Sequence, residues 1–235
     1  MAKNKLKDRL RIKQEELAKK GENKGGAFLF FKEGTIRARP LFVGDETEFA
    51  VEATYFYLGP EIKGVVSPST WGDKCAIMNR FKKLKASSDE DDKELAKTFN
   101  IKKRYFSPHI KFLDIKGKKV DTEAGIKLAV LTNGQYNDLI NLYLDEEQGD
   151  FTDPKEGYDI KYKRTGTGML DTEYSLLPCK PTPLPEAYIK EIYDPEEMLK
   201  VFTPSYKETR AMLKQFLNEG SSDKKKKKKK KKKAL

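Results

Sequence analysis

The sequence has few cysteines and no long apolar run. Its two cysteines, Cys75 and Cys179, lie far apart and outside any Cys-x-x-Cys motif, which argues against a disulfide framework and suits a reducing compartment. No apolar run approaches about 18 residues, so we expect no transmembrane helix. The N-terminus lacks the apolar segment of a secretion signal. We therefore expect a soluble, intracellular protein.

Basic and acidic residues nearly balance once the C-terminus is set aside. The chain of 235 residues has a formal charge of +11, and ten of its 48 basic residues form the unbroken run Lys224–Lys233. The remaining 38 basic residues face 37 acidic ones, so the body is close to neutral. Any surface of the body that binds a polyanion must therefore arise from segregated charge.

The most strongly patterned stretch predicts a hairpin between residues 158 and 177. One face of its first strand carries Tyr158, Ile160 and Tyr162, and the other carries Asp159, Lys161 and Lys163. Gly166 and Gly168 predict the turn, because glycine adopts positive φ readily. Rings offer stacking surfaces to bases and cations follow a phosphate backbone, so the hairpin is a candidate nucleic-acid surface. An ordinary solvated hairpin with its rings in the core is the alternative.

Other strands contribute further candidates. Alternation along the strand that begins at Gly34 places Arg37 and Arg39 on one face, which suits contact with phosphates or bases. A strand over 49–58 carries Tyr55 and Tyr57, and neighbours on a strand face opposite ways. The complete candidate nucleic-acid-binding set, combining cations for phosphates and rings for bases, is Arg37, Arg39, Tyr55, Tyr57, Trp71, Lys102, Lys103, Arg104, Tyr105, Lys161, Tyr162, Lys163 and Arg164.

Strands outnumber helices in the predicted body, and the helices fall between strands as insertions. This pattern predicts a mainly β (α+β) fold around a small closed or partly open barrel. Residues 27–185 form the predicted core, with a helical insertion at 72–99. A basic N-terminal arm and linker occupies 1–26, C-terminal helices occupy 186–220, and a disordered lysine tail occupies 221–235.

Two helix starts carry capping signals. Ser87 and Glu90 have the spacing of a capping box, which predicts Ser87 as the cap of a helix running to Phe99. Thr132 or Asn133 is expected to cap the next helix, where apolar residues recur at helical spacing.

Four stretches together carry a resemblance to a known family. They are GTIRARP (34–40), WGDKCAIMNRFKKL (71–84), IKKRYF (101–106) and GDFTDPKEGYDIKYKRTGTGMLDTEYSLLP (149–178). In this order they resemble the single-stranded DNA-binding proteins of tailed bacteriophages, related to the T-even phage helix-destabilising protein. The resemblance implies an OB-fold that coats single strands during replication, recombination and repair, in the cytoplasm of the infected bacterial host. It also implies that the arm Lys3–Lys20 contacts neighbouring copies, with replisome proteins as further partners.

The chain departs from that family in two respects. The T-even protein holds zinc with one histidine and three cysteines in the segment that matches Trp71–Leu84. Here Cys75 is followed by Met78 where a second cysteine would stand, and the single histidine, His109, lies beyond the segment. One cysteine and one histidine cannot close a four-ligand site, so we predict neither zinc nor another cofactor. The family's acidic tail is replaced by lysines, which should add nonspecific affinity for polyanions.

Two other functions were weighed. The acidic residues that would hold a metal in a nucleic-acid enzyme are Asp145, Glu146, Glu147, Asp150 and Asp153. Glycine falls at the fifth rather than the sixth place of a calcium loop, and no nucleophile has a recognisable spacing to His109, so we predict that the protein is not an enzyme. A structural or interaction protein that uses its basic tail on nucleic acid is the remaining alternative, and it should not prefer single strands.

Overall fold

The computed structural model describes residues 27–41, 49–59, 62–112, 126–166, 171–189 and 194–218. The predicted N-terminal arm, the lysine tail and the tip of the 158–177 hairpin lie outside the described residues. The strands are β1 Phe28–Leu29, β2 Gly34–Pro40, β3 Val51–Tyr57, β4 Lys63–Val66, β5 Asn100–Phe112, β6 Ile126–Leu131, β7 Tyr158–Thr165 and β8 Glu173–Pro181. The helices are a 3-10 turn Pro68–Trp71, α1 Ala76–Lys85, α2 Glu90–Lys97, α3 Asn133–Leu144, α4 Glu186–Ile189, α5 Pro195–Val201 and α6 206–218.

These strands form an eight-stranded sheet in a mixed α/β protein. Six of them follow the order β1-β6-β5-β2-β7-β8, and β3 lies off this path and pairs with β4 and β5. The β1–β6 pair is parallel, and the other registered pairs are antiparallel. Within the described part of the chain the path does not return to its first strand. The predicted mixture of strands and inserted helices is therefore present, and the sheet is open rather than closed into a barrel.

The chain divides into two compact units whose boundaries fall inside β3, inside β5 and after α5. The first unit takes in Met1–Glu52 and Arg104–Val201, and the second takes in Ala53–Lys103 and Phe202–Leu235. Both units are thus discontinuous in sequence. This grouping differs from the core, insertion and C-terminal helices expected from the sequence.

The core of the first unit lies on one face of β2, β6 and β7. Ala38, Leu131, Ile160 and Tyr162 belong to this buried cluster, joined by Leu139 of α3. The cap of α3 is a complete capping box: the side chain of Thr132 accepts from the backbone N–H of Gln135, whose own side chain accepts from the backbone N–H of Thr132. The sequence-based prediction of this helix start is confirmed.

The second unit has its own apolar cluster, formed by β3, β4, α1, α2 and α6. Its buried members include Phe56, Cys75, Ile77 and Leu84, with Phe216 of α6 packed against them. The start of α2 corrects the sequence-based prediction, because Asp89 rather than Ser87 is the cap. No helix among the described residues is long and apolar enough to cross a membrane.

Candidate nucleic-acid interface

The predicted binding residues fall into both units. Those of the first unit are Arg37, Arg39, Arg104, Tyr105, Lys161, Tyr162, Lys163 and Arg164. Those of the second are Tyr55, Tyr57, Trp71, Lys102 and Lys103. Within the first unit, the neighbouring strands β2 and β7 bring several of these residues together.

The register of β2 and β7 brings three cations onto one sheet face. Arg37 lies opposite Lys161, and Thr35 lies opposite Lys163. Side chains directly opposite on antiparallel strands have Cβ atoms about 5 Å apart, and alternate residues share a face. Arg37, Lys161 and Lys163 therefore form one surface, which we call the cationic face. On the third strand, β8, Lys161 is opposite Leu177 and Lys163 is opposite Ser175.

Asp159 is the buried anchor of this surface. Its carboxylate accepts from Nε of Arg37 at 2.7 Å and from Nε of Arg39 at 2.8 Å. Nη2 of Arg39 also donates to the backbone carbonyl of Thr182 at 2.6 Å. A buried carboxylate is costly unless it is paired and hydrogen-bonded, and the two arginines supply both. The arrangement fixes where the Arg37 side chain lies on the sheet.

The two arginines differ in exposure, which corrects one prediction. The side chain of Arg39 is only 2% exposed, whereas that of Arg37 is 21% exposed. Arg39 therefore acts as a counterion inside the protein, and its predicted role as an exposed phosphate contact is wrong for this conformation. The physical reason is a pairing partner 120 residues away, which alternation within one strand cannot reveal.

Tyr162 and Tyr55 are also buried, so their predicted exposure for base stacking is wrong. The ring of Tyr162 stacks on Phe31 with centroids 4.2 Å apart, and its hydroxyl lies 2.7 Å from Nε2 of His109. Tyr55 is fully buried in the second unit and meets Tyr57 edge to face at 5.1 Å. Strand alternation assigns rings to one side, and their large apolar area turns that side inward.

The buried ring of His109 is neutral. Its Nδ1 lies 3.0 Å from the carbonyl oxygen of Ser107, so Nδ1–H is the donor and Nε2 accepts the Tyr162 hydroxyl proton. Burial lowers the pKa of His109 from 6.5 to about 4, because the charged ring would lose its hydration. Burial likewise raises the pKa of Tyr162 well above its ordinary value. This pair belongs to the core.

The remaining predicted rings are partly exposed. Tyr105 stacks on Tyr136 with centroids 4.1 Å apart and an interplanar angle of 12°, and its hydroxyl donates to Glu52 at 3.0 Å. Trp71 donates from Nε1 to the Thr203 hydroxyl at 2.9 Å. Tyr57 is half-buried. These three rings keep some exposed surface while each is held by a neighbour.

The remaining cations vary in their surroundings. Lys103 is exposed, whereas Lys102 and Arg104 are half-buried on β5. The Cζ atom of Arg164 lies 5.9 Å from the ring centroid of Tyr174, within cation–π range. Arg164 therefore packs on β8 next to the turn of the β7–β8 hairpin, on the sheet face opposite the cationic face.

Two neighbours of the cationic face were missed by the sequence analysis. Leu177 is 51% exposed, and a leucine at an outward position of an alternating strand was the available signal. Cys179 lies close enough for the charges of Arg37, Asp159, Lys161 and Arg39 to act on its thiol. Burial nevertheless dominates and raises the pKa of Cys179.

The acidic loop after α3 binds its own backbone. Asp145, Asp150 and Asp153 each accept backbone N–H groups two or three residues ahead, at 2.6–3.0 Å. The N–H groups of Glu156 and Lys155 lower the pKa of Asp153. The part of the chain that the structure covers holds no group of three or more His, Cys, Asp or Glu side chains placed to bind a metal ion.

Comparison with known proteins gives no further assignment. No family model matches the chain, and no match is found among curated proteins. The resemblance to phage single-stranded DNA-binding proteins rests on the four stretches quoted above and stays a prediction.

Proposed function

We propose that the protein binds and coats single-stranded DNA with little dependence on sequence. The observation that carries this proposal is the cationic face, where Arg37, Lys161 and Lys163 share one surface and the buried Asp159 fixes Arg37. Because the body is nearly neutral outside the lysine run, this local excess of positive charge is segregated rather than general.

Phosphate contacts on this face come from side chains of different reach. Arg37 presents a planar guanidinium held at a fixed position, which favours directional contact with phosphate oxygens. Lys161 and Lys163 are flexible point charges one pleat apart and follow a backbone without demanding one geometry. Leu177, opposite Lys161, gives the sugar and base surfaces an apolar contact. Such a surface fits a strand whose sequence varies.

Base stacking in the first unit is assigned to the partly exposed ring of Tyr105, and the partly exposed rings Tyr57 and Trp71 are the separate stacking candidates of the second unit. Each stack contributes about 1–3 kcal/mol and tolerates any base, because every base has a π-face. Duplex DNA keeps its bases stacked on one another and cannot use these rings. Preference for single strands is therefore the property that separates this function from a structural protein that binds nucleic acid through its lysines.

The fold, the biological role and the partners that the family resemblance implies are part of the same proposal. The side-by-side antiparallel strands β2, β5 and β7, with helices inserted between strands, support a relationship to the OB-fold in which the sheet stays open. In this role the protein acts in phage replication, recombination and repair in the host cytoplasm. Its partners are neighbouring copies, contacted through Lys3–Lys20, and replisome proteins.

The experiment is a salt titration of binding to a labelled oligothymidine longer than about 16 nucleotides and to a duplex of the same length. Three charge-removing substitutions, Arg37→Gln, Lys161→Gln and Lys163→Gln, are combined in the full chain. If all three cations contact phosphates, the slope of log affinity against log salt should become shallower by about 2, since each contact contributes about 0.7.

The matched control removes three charges that already pair with carboxylates within helices. Lys93, Lys97 and Lys200 bind Glu90, Glu94 and Glu196, so replacing these lysines with glutamine should leave the slope nearly unchanged. Equal slopes for the two triple variants would reject the cationic face as the binding surface. Equal affinity of the unaltered protein for single strands and duplex would favour the structural alternative.

A further inference from the structure

A groove lies between α3 and β8 in the first unit. Its volume is about 390 Å³, and its lining residues are Asp138, Asn141, Leu142, Asp145 and the strand segment 174–176. The helix residues recur at i, i+3, i+4 and i+7, so they form one side of α3. The other wall is β8, whose Tyr174 and Leu176 also pack against the core of the first unit. A helix facing a strand edge across a groove is a geometry that binds extended peptides.

The strand edge in this groove can accept another strand. In the sheet order β8 is terminal, and β7 is its neighbour among the described strands. An edge strand turns the N–H and C=O groups of alternate residues away from its neighbour. Pro178 and Pro181 obstruct pairing along the second half of β8, because proline has no N–H to donate. The half without proline, Glu173–Leu177, contains the residues that line the groove.

The helical wall selects a cationic peptide. Asp138 lies on α3 and Asp145 caps its C-terminus, seven residues later, which is about 10 Å along the helix axis. Side chains on one side of an added strand recur about every 7 Å, so two long cationic side chains on that side can reach both carboxylates. The exposed Glu146, Glu147 and Asp150 continue the negative charge beyond Asp145.

We propose that this groove binds the lysine tail, Lys224–Lys233, of a second copy of the chain. Its ten like charges are complementary to the carboxylates that line and flank the groove. Because the rest of each copy is nearly neutral, the body of the partner adds little net repulsion against an approaching tail. A tail-to-groove contact uses two different surfaces, and such heterologous contacts build open chains of molecules.

An open chain of copies matches a protein that coats a linear strand, and this biological use rests on the proposed function. The contact between tail and groove does not depend on the proposed function, because it requires no DNA. It is also distinct from the contact through the basic N-terminal arm implied by the family resemblance.

The test measures association without DNA. Sedimentation velocity over a range of protein concentrations at low salt compares three forms: the full chain, the full chain with Asp138→Asn and Asp145→Asn, and a chain ending at Asp223. The truncation removes no described residue. Asparagine at 145 still accepts the N–H of Glu147, so the local turn is kept. A control with Asp91→Asn and Glu197→Gln removes the same charge at two residues that do not line the groove.

We expect the full chain and the control to associate and to dissociate as salt rises, whereas the groove variant and the truncated chain associate at least about tenfold more weakly. Mixing those two should restore a one-to-one complex, because one retains the groove and the other retains the tail. Thermal unfolding confirms that each variant is folded.

The absence of concentration-dependent association by the full chain would overturn the proposal, as would unchanged association of the groove variant. A mixture that forms no complex would also overturn it, and would point to docking of a tail on its own molecule. None of these results bears on DNA binding, so failure here is distinguishable from failure of the proposed function.

Discussion

Asp159 and Arg39 form an ion pair that is almost completely buried, with Nε of Arg39 donating to Oδ1 of Asp159 at 2.8 Å and side-chain exposures of 1% and 2%. The pair joins β2 to β7 on the same sheet face as the cationic face, next to Arg37. If one partner is removed, the other keeps its charge in the protein interior, where water hydrates it poorly.

We predict that Asp159→Leu lowers the free energy of unfolding by about 3–5 kcal/mol, the usual effect of breaking a buried pair. Replacing both partners, Arg39→Met with Asp159→Leu, should be less damaging than Asp159→Leu alone, because the fully buried charge of Arg39 is removed and only the partly exposed Arg37 loses its partner. Urea denaturation measures both. Glu94→Gln, which breaks an exposed pair with Lys97, should change stability by less than about 1 kcal/mol. A double variant less stable than Asp159→Leu would contradict this account.

A second prediction concerns the lysine tail in DNA binding. A chain ending at Asp223 should show a shallower salt dependence of oligothymidine affinity, because each lost lysine contact removes about 0.7 from the slope. Its preference for single strands over duplex should remain, since the cationic face and the rings are untouched. Fluorescence anisotropy across a salt series measures both quantities. If the preference vanished with the tail, the lysines rather than the sheet would be the binding element.

The buried His109 predicts a pH dependence of stability. Its folded pKa of about 4 lies below the ordinary 6.5, so between these values the unfolded chain binds more protons than the folded one. Stability contributed by the neutral ring is therefore complete above pH 6.5 and is lost as pH falls toward 4. The total effect is on the order of a few kcal/mol.

The measurement is urea denaturation at several pH values between 6.5 and 5, a range where most carboxylates stay ionised. His109→Gln removes the titrating group, so its stability should change less across this range than that of the unaltered protein. Parallel curves for the two proteins would show that another group causes the acid sensitivity.

Gly64 is predicted to resist substitution for two reasons. Its φ is +70°, and a Cβ atom there would lie 2.0 Å from the hydroxyl oxygen of Tyr55. Backbone strain alone costs about 1–3 kcal/mol, and the collision with a buried ring adds to it. Gly72→Ala is the matched control, because Gly72 has φ of +81° but open space around its Cβ position. Thermal unfolding should show a greater loss of stability for Gly64→Ala than for Gly72→Ala. Equal losses of stability would mean that backbone strain accounts for the whole effect.

Local patterns predicted local structure well. Three features follow from residues within a few positions of one another. They are the two faces of β7, the helix start at Thr132 and the positive φ of +78° at Gly166, where the hairpin turn begins. The helix start at Asp89 was missed because Ser87, Ser88 and Asp89 all suit a cap, and only the observed backbone decides among them.

The inside and outside of the sheet could not be predicted in the same way. Alternation assigned Tyr162 and Arg39 each to one face of its own strand without deciding which face is inside, and both are buried. Tyr162 is covered by Phe31, and Arg39 is neutralised by a carboxylate from a strand far along the chain. Such long-range pairings also decide that the sheet is open, which no single stretch of sequence encodes.

The position of Cys179 gives the protein its own chemical reporter. Its thiol is half-buried beside Arg37 and Lys161, whereas Cys75 is only 1% exposed within the apolar cluster of the second unit. An alkylating reagent should therefore modify Cys179 well before Cys75, and slowly at neutral pH because burial raises the pKa of the Cys179 thiol. A strand lying across the cationic face would shield this thiol, so the rate of its alkylation records occupancy without any added label.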